Sequence, residues 1–314
     1  MKQTQENKNR FLSSLLGEMT VEKSSGLAFS AAVLLPVLLS FVFVMIAGAA
    51  GLFVKGVEEQ DWYRYFNFLL PQISFAIVCF AFFYLSKTSV KTVIGTPKWY
   101  YFAIALILQF GLLALSELNT WFIEFLESFG YENSSVQLPS LAGGGVFGVL
   151  LVVAVLPAVF EELLFRGVLL KGLRSFPIWA AALLCGGMFS LFHQNPAQTV
   201  YQFCCGAAFA LVALRSGSVL PTVLMHFFNN GLIIVLEYFG ASVEHLPLPV
   251  LIAAIVCLLG SVFFLVFEEK LLKKTPTNIF TEEKTGSKKE FFLCAAVGLT
   301  VCIAVWFFVL FGGA

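Results

Sequence analysis

Nine apolar runs, at 26–54, 65–85, 99–118, 144–171, 178–193, 197–214, 219–239, 248–267 and 290–311, set the terms on which this chain can fold. A helix rises about 1.5 Å per residue, so roughly twenty apolar residues cross a bilayer. Backbone in lipid must satisfy its own hydrogen bonds, which a helix does within itself. Hydrophobic residues make up 59% of the 314 and charged residues only 12%, with a mean hydropathy of +0.89. A soluble domain of that composition would lack polar surface. The expected fold is therefore all-α: a polytopic transmembrane helix bundle of about 8–9 transmembrane helices. Nine is the preferred count; the fifth run is short and is also read as part of a buried hairpin.

The chain divides into a polar segment at 1–25, transmembrane helices over 26–143, a core at 144–240, and further transmembrane helices over 241–314. In the first segment Phe11, Leu12, Leu15, Leu16 and Met19 recur at helical spacing, as in an amphipathic helix on a membrane surface; a tail without order is the alternative. The stretch 117–143 is read as a helical extension or an interfacial helix. Net charge is zero, which gives no electrostatic case for a nucleic-acid partner. All seven cysteines fall within apolar runs and read as small packing residues. Of the nineteen Lys and Arg residues, Lys55 and Arg64 fall in outer segments and Arg166 within a span, leaving sixteen in the segments on the side of the N-terminus. The positive-inside rule then puts the N-terminus in the cytoplasm. An integral protein of a bacterial plasma membrane is expected.

Several apolar runs carry polar groups. Glu161, Glu162 and Arg166 lie in the fourth, His193 ends the fifth, and His226 and Asn230 lie in the seventh. Ionisable groups at membrane depth are costly and usually face a bundle interior or a wet cavity. Helix rise places Glu161, His193, His226 and Asn230 in one middle band of the membrane, so they can converge. Glu162 and Arg166 are i, i+4 with the acid first, the better order for an ion pair. Glu161 is turned by about 100° from Glu162 and can face a different space. Phe189 shares a face with His193, and His226 with Asn230. Each has a plainer reading: an interhelical clamp for Glu162–Arg166, a hydrogen-bonded packing histidine for His193, a helix-to-helix contact for Asn230 and Asn229. His245 is read as a surface residue. The Gln-Asn-Pro-Ala-Gln connection after His193 must be buried in protein or line a cavity.

Glu161-Glu162-x-x-x-Arg166, then Phe189-x-x-x-His193, then His226-x-x-x-Asn230, resemble the three motifs of the CPBP intramembrane proteases. That family includes type II CAAX prenyl proteases and the bacteriocin-processing or self-immunity (Abi) proteins. The resemblance covers about residues 145–235. It implies an endopeptidase acting on a membrane-associated, prenylated or leader peptide, with the lipid bilayer as its other partner. It further implies that Glu161 and His193 activate the attacking water and that His226 and Asn230 stabilise the oxyanion. Glu162, Arg166 and Phe189 would support them. Carboxylate, imidazole and amide suit those tasks. No cofactor is favoured, but zinc on Glu161, His193 and His226 is the alternative, although His-Glu-x-x-His is lacking. A transport or immunity protein of the same fold is the non-proteolytic alternative; no inverted repeat supports transport.

Overall fold

The computed structural model describes residues 19–52, 55–133, 137–240, 245–272 and 287–312. The surface helix expected from Phe11, Leu12, Leu15 and Leu16 lies outside them, as does most of the lysine-bearing stretch before Lys288. The helices are α1 (Val21–Ala49), α2 (Asp61–Ser86), α3 (Trp99–Leu112), α4 (Leu115–Glu127) and α5 (Ala142–Gly172). They continue with α6 (Ile178–Phe192), α7 (Thr199–Ser216), α8 (Leu220–Tyr238), α9 (Leu248–Leu271) and α10 (Lys288–Leu310). The described residues contain no strand.

Eight spans among the described residues are long and apolar enough to cross a membrane, with α3 and α4 together forming one of them. The expected count of nine is corrected at one place. The fifth run yields α6, only 15 residues long. It is one arm of an antiparallel hairpin with α7, as the shorter reading of that run had it. Gly186 makes this possible: a Cβ there would sit 2.6 Å from the Ala207 nitrogen, so only glycine lets the two backbones approach. The turn between the arms runs through Gln194 at φ 53° and the short helical turn Pro196–Gln198. The stretch expected to extend the third span is α4, which carries Trp121 and Phe125 outward as a stacked pair, with Phe129 just past its end set edge-on to Phe125.

α5 runs through the middle of the bundle. Ser25 Oγ of α1 donates to Val168 O, while α2 follows α5 on another side, with Tyr65 donating to Gly145 O. α10 packs along α1, where Ser30 Oγ donates to Cys294 O and accepts from Gly298 N–H. Charged pairs gather at one end. Arg174 meets Glu22 at 2.9 Å, Lys23 meets Glu290 at 3.4 Å, and Arg215 meets Glu269. Tyr101 donates to Glu268 at the same end. This is the lysine-rich end inferred from the sequence. At the opposite end Arg64 donates to Gln137 and to Leu138 O, and Asp61 accepts from Ser140 N–H.

Candidate active site

α5 does not wind uniformly. Leu150–Val155 and Leu163–Leu169 have the wider i→i+5 turns, a local form often found where a helix carries function. Between them Leu156–Glu162 is regular and presents the two adjacent glutamates. Pro157 has no N–H to offer the carbonyl four residues before it, that of Val153. Asn230 Nδ2 of α8 donates to that oxygen at 2.8 Å.

Glu161 and Glu162 have separate surroundings, as their angular offset predicts. Glu162 is fully buried. One of its oxygens accepts from Arg166 Nη1 at 2.7 Å and from His226 Nδ1 at 2.9 Å. Arg166 is also buried, and its second terminal nitrogen donates to Gly206 O of α7 at 3.1 Å. Its guanidinium lies over the rings of Phe189 at 4.5 Å, Phe209 at 5.2 Å and Phe165 at 5.9 Å. Aromatic faces stabilise a desolvated cation. The clamp reading of Glu162–Arg166 thus describes its geometry, and Phe189 forms part of the same clamp. Glu161, by contrast, reaches a cavity of about 1030 Å³ that His193, His226, Asn230 and Phe189 also line.

Hydrogen bonding orients the two rings. A carboxylate and a backbone carbonyl only accept, so each ring carries its proton on the nitrogen facing them. His193 Nδ1 donates to Phe189 O at 2.8 Å, which leaves Nε2 of the neutral ring as an acceptor. His226 Nδ1 donates to Glu162, and its Nε2 lies 3.9 Å from Glu161 Oε2. In its doubly protonated form His226 would also donate at Nε2. The Asn230 amide is set in the same way. Its oxygen accepts from Asn229 Nδ2 at 3.3 Å, so its nitrogen faces Val153 O with one N–H still to give.

Three contributors escaped the sequence reading. Gln72 of α2 is 5% exposed, and its Nε2 donates to Glu161 Oε1 at 3.4 Å. Asn229, read as a packing residue, is held at its oxygen by Tyr201 Oη at 2.7 Å and Gln109 Nε2 at 3.0 Å. Tyr201 and Gln109 are the other two. The available signal was a carboxamide within an apolar run, at Leu-Pro-Gln72-Ile and Leu-Gln109-Phe. His245 remains at the surface, beside Glu117 at 3.1 Å. Among the described residues no three His, Cys, Asp or Glu side chains are grouped so as to hold a metal ion.

Fold and site together define an integral membrane protein with a polar, acid- and imidazole-bearing cavity inside a helix bundle. Residues 143–232, which hold all three motifs, match the family model described as type II CAAX prenyl endopeptidase Rce1-like. No curated protein and no solved structure matches the chain.

Proposed function

We propose that the protein is an intramembrane endopeptidase in which Glu161 is the general base. The observation that carries this reading is the division of labour between neighbouring carboxylates. Glu162 is spent on Arg166 and His226, while Glu161 borders the cavity beside His193. A base must reach the proton it removes, and only Glu161 faces space where a water and a peptide would fit.

In the proposed reaction a water lies between Glu161 and His193 Nε2. Glu161 takes one of its protons as the oxygen attacks the peptide carbonyl carbon. The carbonyl oxygen becomes an oxyanion and accepts from the free N–H of Asn230 and from Nε2–H of protonated His226. Collapse breaks the C–N bond, and Glu161 returns the proton to the leaving amine. Glu162 holds the charged His226 ring in place, and Arg166 compensates Glu162. No step in this scheme uses a metal.

Purified protein in nanodiscs, given a defined peptide mixture read by mass spectrometry, is expected to generate new N-termini. Folded protein that cleaves nothing in the mixture, nor any membrane-anchored peptide added to it, would remove the endopeptidase reading.

A further inference from the structure

We infer that the cavity admits an extended peptide segment from the extracytoplasmic face of the membrane; this rests on the endopeptidase reading and says from which side, and by what chemistry, the substrate arrives. The cavity is not a pocket enclosed at mid-membrane. From Glu161 and His226 at its floor it runs past Gln72 and Gln202 to Arg64, Asn133 and Gln137, which lie at the lysine-poor end. None of its lining residues belongs to the connections at the other end.

The floor is closed. Beyond Glu161 the buried Glu162–Arg166 pair sits under Phe165, Phe189 and Phe209, with Leu164 and Val168 fully buried behind it. A substrate therefore cannot reach Glu161 from the lysine-rich end without breaking that packing. The sequence reading assigns sixteen of the nineteen basic residues to segments on that side. Cytoplasmic segments carry such an excess, so the open end faces outward.

The lining also indicates what enters. Carboxamides recur along the path, at Gln72, Asn119, Asn133, Gln137, Gln198 and Gln202. Each both donates and accepts, as a peptide backbone does. Two of their oxygens, Gln72 Oε1 and Asn119 Oδ1, are buried without a hydrogen-bond partner. The carboxamides that line the open path can accept donors. Backbone N–H groups of an extended segment supply them at regular spacing. An anionic headgroup is a poorer match: Arg64 is the one Lys or Arg among the lining residues, and it already donates to Gln137 and Leu138 O.

Two measurements test this. In intact cells a membrane-impermeant maleimide should label Gln137→Cys above the level of the unmutated protein. It should label Lys91→Cys only after permeabilisation. Labelling of Gln137→Cys only after permeabilisation, or not at all, overturns the sidedness, whether or not the protein cleaves peptides. With a cleaved peptide in hand, Asn119→Leu and Gln72→Leu should each raise KM about tenfold, while Asn119→Leu leaves kcat near its starting value. Unchanged KM in both variants overturns the backbone-recognition part. If no variant or unmutated protein cleaves anything while the labelling pattern holds, the endopeptidase reading fails and the open face stands.

Discussion

Asn230 reaches the cavity with its amide already turned, because Asn229 donates to its oxygen and Val153 O takes one of its N–H groups. An amide fixed in this way needs no reorganisation when an oxyanion forms, which is where such donors are worth most. Asn230→Ala and His226→Ala should each lower kcat by on the order of 100-fold, with Glu161 still in place. Asn229→Leu leaves Asn230 present but held only at Val153 O. It should lower kcat by about tenfold, roughly one hydrogen bond, with KM unchanged. Steady-state kinetics on one peptide checks all three. A variant of Asn229 that lowers only KM-dependent rates would show that it acts on binding instead. The motif residues were legible in the sequence because ionisable groups in apolar runs are conspicuous. Asn229 was visible but not interpretable, since its meaning depends on Tyr201 and Gln109, brought near only by folding.

At the scale of elements, Arg166 ties three helices together. It pairs with Glu162 on its own helix, donates to Gly206 O of α7, and lies against Phe189 of α6. Removing it leaves Glu162 buried without its ion-pair partner and should cost about 3–5 kcal/mol. Arg166→Ala is therefore expected to unfold at clearly lower temperature than the unmutated protein and to lose activity. An Arg166→Ala protein of unchanged thermal stability would show that the clamp does not hold the bundle. Gly186→Ala forces a methyl group against the backbone of Ala207 and should cost about 1–3 kcal/mol. Thermal melts in a fixed detergent measure both. The i, i+4 spacing disclosed the ion pair, whereas Gly206 O as a further acceptor could not be read. A backbone carbonyl has no signature in sequence, nor do the two wide-turn stretches of α5. The short fifth run was recognisable by length alone.

For the molecule as a whole, the apolar runs marked the helices, and hydropathy left open how the fifth run and the stretch 117–143 behave. What they could not disclose is the direction of the cavity. The first three and last two runs carry no motif, and so appear silent about the site in sequence. In the structure α2 brings Gln72 to Glu161, α3 brings Gln109 to Asn229, and α10 donates from Trp306 to Thr199 at the head of α7. The scaffold thus shapes the cavity that the motif core equips. The whole account turns on Glu161 as a base that works without a metal. The most direct test measures cleavage rate and bound metal together, in the unmutated protein and in Glu161→Gln, which has nearly the same shape but cannot take a proton. The account predicts an active unmutated protein without stoichiometric metal, and a Glu161→Gln protein of equal or greater stability with no turnover. Full activity in Glu161→Gln, or a stoichiometric metal lost together with activity, would contradict it.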